Sequence, residues 1–206
     1  MKRIFEIIIS IFSLILFSPL LVLIMLSIII FDSRPIFFRQ IRVGIGGCDF
    51  ILNKFRTMTS EYKSDNGAFD AGNKSRITRI GLFLRKTKLD ELPQLWNVLI
   101  GDMSIVGPRP EVRKWVDAYP EPWAKILTVK PGITDPASIY YRNEEELLAQ
   151  ANDPEAYYRD HILPHKLDLY EEYVRTRSFF GDICLILKTI MSVFFQSGIH
   201  VIKIRQ

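Results

Sequence analysis

The stretch Thr87–Pro110, TKLDELPQLWNVLIGDMSIVGPRP, gathers residues that could do chemistry on phosphate. Asp90 and Glu91 are adjacent and Pro93 follows them. Asp102 comes next, and Arg109 sits between Pro108 and Pro110. Two acids before a proline suit the start of a helix, where they meet free N–H groups and the positive end of the helix dipole. A helix N-terminus is also a natural place for phosphate. Arginine makes bidentate contacts with phosphate, and flanking prolines stiffen the backbone that carries it. Carboxylates gathered with arginines suit a divalent cation bridging a diphosphate. A carboxylate can also act as a nucleophile and carry a covalent phosphoryl group. Asp102 is a further candidate metal ligand, and a Gly-Asp turn explains it equally well. Arg85, just over a helical turn upstream of Asp90, is a second basic candidate.

The elements that must position these residues are short. Ile77–Lys88 reads as a helix with Ile80, Phe83 and Leu84 on one side and Arg76, Arg79, Arg85 and Lys86 elsewhere. Leu92–Leu99 continues as helix, with Pro93 tolerated in its first turn. Upstream, Ile36–Val43 and Asp49–Phe55 read as strands around Gly44-Ile45-Gly46-Gly47. No Gly-Lys-Ser/Thr follows these glycines, so a hairpin turn explains them better than a phosphate loop. Lys54 and Arg56 flank Phe55 and are expected on one face of the strand. Glu61–Lys74 is polar and aperiodic, which predicts a loop.

After Arg109 the pattern predicts a helix, a proline turn and a second short helix, then a turn at Lys130-Pro131-Gly132. Glu144–Ala151 and Asp153–His161 read as short polar helices, with Glu144-Glu145-Glu146 as a solvated face. Leu163–Arg177 is amphipathic. Phe179–Phe195 is apolar apart from Asp182 and Lys188. It is short for a membrane span and suits a helix buried on the domain or lying in the interface. Trp96, Trp115 and Trp123 read as core or interface aromatics. His161, His165 and His200 are isolated and carry no role.

The N-terminus is of another kind. No charge occurs from Ile7 to Phe31. A helix of that length rises about 37 Å, against about 30 Å for a bilayer core. The run ends in Phe31-Asp32-Ser33-Arg34-Pro35, which is no signal-peptidase site, so the segment is expected to stay in the membrane. Ser18-Pro19 falls near its middle, and proline there removes a hydrogen bond and kinks the helix. Lys2 and Arg3 precede the run, while Arg34, Arg39 and Arg42 follow it. With both flanks basic, the positive-inside rule leaves a re-entrant helix and a tilted, kinked span equally open.

Residues 32–114 carry 15 Lys/Arg against 9 Asp/Glu, whereas residues 115–206 carry 10 against 13. A basic middle beside a membrane segment suits anionic lipid or phosphorylated substrates. Its scattered charges and lack of a known motif argue against nucleic acid. Cys48 and Cys184 lie in no CxxC pattern and read as reduced thiols.

The segments RVGIGGCDFILNKFRTM, SRITRIGLFLRKTKLDELPQLWNVLIGDMSIVGPRPE and KPGIT occur in order behind a Ser-Pro N-terminal helix. In this the chain resembles the monotopic phosphoglycosyl transferases, the bacterial sugar transferase family, in its small single-domain subgroup. The likeness covers roughly residues 1–135 well and the remainder only generally. It implies transfer of a sugar 1-phosphate from a UDP-sugar to polyprenyl (undecaprenyl) phosphate, with release of UMP. Asp90 would be the nucleophile that forms a phosphosugar ester. Glu91 would help bind Mg²⁺ and assist proton transfer. Lys54, Arg85 and Arg109 match positions near the phosphates, and Asp90 and Glu91 would be the metal ligands.

The resemblance also tips the N-terminal helix towards re-entrance at Ser18 and Pro19, with both ends cytoplasmic. The expected fold is therefore α+β and mostly helical. Residues 1–33 form a re-entrant membrane helix and 34–206 a membrane-associated catalytic domain, with a small β-hairpin and amphipathic interfacial helices. The expected location is the cytoplasmic face of the bacterial inner membrane. The expected partners are the UDP-sugar, the lipid phosphate and membrane lipid, with a homodimer as an option and no nucleic acid. The small subgroup favours an acetamido or diacetamido sugar. A hexose 1-phosphate transferase and a non-catalytic membrane scaffold for glycan enzymes are the alternatives. Many relatives have glycine after Pro-Gly-Ile-Thr. This chain has Asp135-Pro136-Ala137-Ser138 there, altering a loop on the expected substrate side.

Overall fold

The computed structural model describes residues 2–32, 34–59 and 76–194. The predicted loop Glu61–Lys74, His200 and the boundary at Ser33 lie outside them. The chain begins with α1 (Lys2–Leu16) and α2 (Ser18–Asp32), which meet at a bend of 59°. The cause is local. Pro19 has no N–H to give the Ile15 carbonyl, and the Ser18 hydroxyl donates to that carbonyl instead, at 2.7 Å. Among the described residues no single helix is long and apolar enough to cross a membrane, though the bent pair together has the length and composition. Ile4, Ile8, Phe12 and Ile15 of α1 and Val22, Leu23, Leu26 and Ile30 of α2 are exposed.

Both far ends of this pair are held by the same body. On α1, Lys2 pairs with Asp182 at 2.6 Å and donates to the Val106 carbonyl. Arg3 donates to the carbonyls of Val98 and Leu99. Glu6 is buried and accepts from the Ser104 hydroxyl and the Ile105 N–H. On α2, Ile24 and Ile28 are buried with Phe55 and Leu84.

Strands β1 (Phe37–Val43) and β2 (Asp49–Phe55) form the expected antiparallel hairpin, in register from Phe37 opposite Phe55 to Val43 opposite Asp49. Next come α3 (Arg79–Thr87), a tight turn at Leu89–Glu91, and α4 (Gln94–Ile100). A second small sheet was not expected. Strand β3 (Ser104–Val106) pairs in parallel with β4 (Gly132–Thr134), where the sequence pattern predicts only a turn. Three-residue strands are too short for alternation to reveal them. The approach is glycine-dependent. A Cβ on Gly132 would lie 2.1 Å from the Gly107 nitrogen, and one on Gly107 would lie 2.4 Å from the Lys130 oxygen. This contact fixes the backbone that leads into Pro108-Arg109-Pro110.

Helices α5 (Arg113–Ala118), α6 (Pro120–Ile126), α7 (Pro136–Tyr140), α8 (Glu144–Gln150), α9 (Pro154–Tyr157), α10 (Leu163–Thr176) and α11 (Phe179–Phe194) complete the fold, with a wider turn at Tyr158–Ile162 before α10. Trp115, Trp123, Ile126, Leu163 and Tyr170 fill one core, and Leu52, Val98, Met103 and Tyr173 another. Trp96 is exposed. On α3, Leu84 is buried but Phe83, expected on the same side, is exposed beside Leu82. Helix α11 turns Asp182 inward, where it accepts from Tyr173 at 2.9 Å, and leaves Phe180, Leu187, Ile190 and Met191 exposed. The α+β, mostly helical class holds, with a parallel strand pair added to the expected hairpin.

Candidate active site

The dyad sits where α3 stops. Lys88 adopts a left-handed conformation (φ 59°), which ends α3 and throws the chain into the Leu89–Glu91 turn. The acids do not cap α4, since neither the turn nor α4 has a side-chain cap. Their side chains are directed elsewhere. Glu91 Oε1 accepts from Lys54 Nζ at 2.9 Å and from Arg109 Nη2 at 2.5 Å. Strand β2 delivers Lys54, and the Pro-Arg-Pro segment after β3 delivers Arg109. Asp90 is buried, and its Oδ1 has no hydrogen-bond partner among the described residues.

The two neighbouring carboxyls are therefore pushed in opposite directions. Burial, then repulsion from Glu91, raises Asp90 above the usual aspartate value, with partial relief from Lys54, Lys88 and Arg109. Burial also acts to raise Glu91, but the attraction of Arg109 and Lys54 outweighs it and holds that carboxyl well below the usual range. The Glu91 charge raises Arg109 further, while burial lowers Lys54 against the pull of Glu91. Opposed shifts on adjacent acids mark a candidate functional site.

The arrangement can bind a dianion through its two cations and present a carboxylate to it. Among the described residues no group of three or more His, Cys, Asp or Glu forms a metal cluster. Asp90 and Glu91 are the neighbouring acids that could share a cation with a substrate.

A family model described as bacterial sugar transferase matches residues 1–196. The chain belongs to that family. It is 36% identical over 200 residues to the uncharacterized sugar transferase EpsL of Bacillus subtilis, covering 97% of this chain and 90% of that one. It is 33% identical to a UDP-N-acetylgalactosamine-undecaprenyl-phosphate N-acetylgalactosaminephosphotransferase of Aeromonas hydrophila, over 93% of this chain. It is 36% identical to a UDP-glucose:undecaprenyl-phosphate glucose-1-phosphate transferase of Klebsiella pneumoniae, over 97% of this chain. The chain spans only 43% and 41% of the length of these last two.

Other residues singled out in this sugar transferase bond to groups other than the dyad. Arg85 donates to Thr57 Oγ1 at 2.9 Å and to Glu145 at 2.8 Å rather than to Asp90 or Glu91. Arg56 has different partners from Lys54. Strand β2 ends at Phe55, and Arg56 turns back to the carbonyls of Asp32 and Arg34. Asp102 accepts from Asn97 Nδ2 at 3.3 Å and closes the end of α4.

One residue near the site carries no signal in the sequence, and two segments differ from their expected roles as a loop and a solvated face. Glu111, two residues past Arg109, is buried and accepts from Tyr158 at 2.5 Å and Arg42 at 3.2 Å. Arg42 also donates to the Pro110 carbonyl, so the Pro-Arg-Pro strap is held from behind. Asp135 is buried and caps α7, accepting from the Ser138 N–H at 2.8 Å and from its hydroxyl. Asp-Pro-x-Ser is a helix-start pattern with proline at the first position, a signal that was available. Finally, the Glu144–Glu146 run is not simply solvated. Glu144 pairs with buried Lys166 at 2.5 Å, and Glu145 holds Arg85.

Proposed function

We propose that this chain transfers a sugar 1-phosphate from a UDP-sugar to undecaprenyl phosphate, with Asp90 as nucleophile. The observation that carries the reading is the division of labour in the dyad. Glu91 is neutralised by two cations, while buried Asp90 bonds to neither and keeps an unpaired oxygen. The names of the Aeromonas and Klebsiella relatives support the general reaction. One is named for an acetamido sugar and the other for glucose, so the acetamido preference gains nothing over a hexose.

In the first half-reaction an Asp90 oxygen attacks the sugar-bearing phosphorus. The bond to the bridging oxygen breaks, and UMP leaves with its electron pair. In the second half-reaction an oxygen of the lipid phosphate attacks the same phosphorus and the Asp90 carboxylate leaves. Lys54 and Arg109, with Glu91 setting their positions, would hold the phosphate oxygens through both steps. Arg85 would join them by exchanging Glu145 for phosphate. Mg²⁺ fits the donor set, because it binds one or two carboxylates and takes its remaining ligands from phosphate and water. Glu91 takes both cations on Oε1, leaving Oε2 as a donor, and Asp90 supplies the second carboxylate. When bound, the ion would neutralise charge on the diphosphate.

Residues 1–33 would be a re-entrant anchor and 34–206 the catalytic domain, on the cytoplasmic face of the inner membrane. Each arm of the pair has 15 residues and is about 22 Å long. Bent by 59°, two such arms reach only about 11 Å below the line joining their ends. With both ends at one surface, such a pair would dip about a third of the way into a hydrocarbon core of roughly 30 Å and return. The attachment of both ends to one body supports the same reading. Exposed apolar side chains on α3 and α11 suit membrane lipid as a partner.

The test is UMP release from a panel of UDP-sugars with undecaprenyl phosphate and Mg²⁺, for the native chain and Asp90→Asn. One donor should give metal-dependent UMP, and Asp90→Asn should reduce it about a thousandfold or more. Release of no UMP from any donor by folded protein would favour a membrane scaffold.

A further inference from the structure

Asp90 is not the only buried polar group left open at the dyad. Gln94 is 1% exposed, and its Nε2 has no hydrogen-bond partner among the described residues. Buried polar groups in folded proteins are overwhelmingly paired, so an unpaired donor and an unpaired acceptor in one segment call for an explanation.

Their placement supplies one. The Leu89–Glu91 turn runs into α4 through Leu92 and Pro93, both in right-handed helical conformation. The backbone bonds Leu92 N to Leu89 O, Leu95 N to Leu92 O and Trp96 N to Pro93 O carry the turn into the helix. Asp90 and Gln94 are thus one tight turn apart, on a path of i→i+3 bonds that runs into α4, and both are turned to the buried side. That side continues to Asn97 and Val98, both fully buried. Asn97 fixes where it points. Its Oδ1 accepts from the Asn53 N–H, and its Nδ2 donates to the Ile51 carbonyl at 2.7 Å, both on β2. Asn53 is followed by Lys54, which reaches Glu91. The stripe therefore lies against β2, with Gln94 between a fully bonded asparagine and the proposed nucleophile.

We infer that Gln94 is a positioning residue for Asp90, its side-chain N–H donating to the enclosed Oδ1 while the other carboxylate oxygen bonds to phosphorus. The inference rests on the reading of Asp90 as nucleophile. In the phosphosugar ester, Oδ1 is the carbonyl oxygen. When the lipid phosphate attacks phosphorus and the ester P–O bond breaks, the electron pair returns to the carboxylate. A donor on Oδ1 stabilises that departing charge, and no proton need move. Hydrogen bonds to charged groups are the strong class, and here one sits away from solvent.

The test compares native enzyme, Gln94→Met and Gln94→Glu. Methionine keeps the length and loses the donor, while glutamate replaces the donor with an acceptor. Gln94→Met should lower kcat roughly 10- to 100-fold with the donor KM within about twofold. Its melting temperature should be unchanged or higher, because an unsatisfied buried amide has gone. Gln94→Glu should lose at least as much kcat. A purely structural glutamine predicts the opposite pattern for methionine, with a lower melting temperature and activity falling only with the folded fraction. That result, or native kcat in either variant, overturns the inference. Failure of the parent reading looks different. Native enzyme would then form no UMP and no sugar-phosphate adduct, before any variant is made.

Discussion

At the scale of single residues, the site places a charge where burial opposes it. Asp90 is raised by burial and by Glu91, so its ionised form is disfavoured in the folded state. A carboxyl raised on folding contributes stability at low pH and loses that contribution as pH rises through its folded value. Asp90→Asn should therefore be more stable than the native chain at pH 7, by on the order of 1 kcal/mol, while lacking activity. Thermal melts in chelator should show the advantage shrinking as pH falls. Glu91 has the opposite sign. Its contribution is present above the ordinary carboxylate range and is lost as pH falls through its lowered folded value. Glu91→Gln leaves Lys54 and Arg109 without their counter-ion, and a loss of about 2–4 kcal/mol in chemical denaturation is expected. The residue types here were legible, because acids, a Pro-Arg-Pro strap and a strand lysine each carry a chemical signature. Their pairings were less so. That Arg85 goes to Glu145, and that Glu111 holds Arg42 and Tyr158, depends on elements far apart in sequence.

Among elements, the hairpin, the broken N-terminal helix and most helices could be read from periodicity and turn residues. The β3–β4 pair could not, since its three-residue strands are defined by a glycine contact rather than by pattern. That contact is open to a direct test. Gly132→Ala puts a methyl group into the Gly107 backbone and must part the strands that lead to Arg109. A loss of a few kcal/mol is expected, measured by denaturant melts, together with reduced turnover in any folded fraction. Replacing Pro19 has a different consequence. Pro19→Ala restores an N–H for the Ile15 carbonyl, which Ser18 now serves. The bend should lessen, and helical content measured by circular dichroism in detergent should rise slightly.

On the scale of the whole molecule, the N-terminal helix is bolted to the C-terminal one. Lys2 meets Asp182 of α11, and Tyr173 of α10 joins them. With both arms of the bent pair returning to one body, epitope tags before Met1 and after Gln206 should be protected together from protease added outside spheroplasts. Protection of only one tag would show that the pair spans. The resemblance, rather than charge, favoured re-entrance in the sequence, because basic residues flank the apolar run on both sides.

The bolts also impose an order on synthesis. Lys2 and Tyr173 lie 171 residues apart, and Glu6 waits for Ser104, 98 residues on. At about 5–20 residues per second, the hairpin ending at Asp32 is made roughly 7–30 s before Asp182, its last polar partner, exists. Through that interval Lys2 and Glu6 are solvated charges beside an unhoused apolar segment. On the proposed re-entrant reading, the lipid surface would receive the hairpin first, and the rest of the chain would then close onto an anchor already in place.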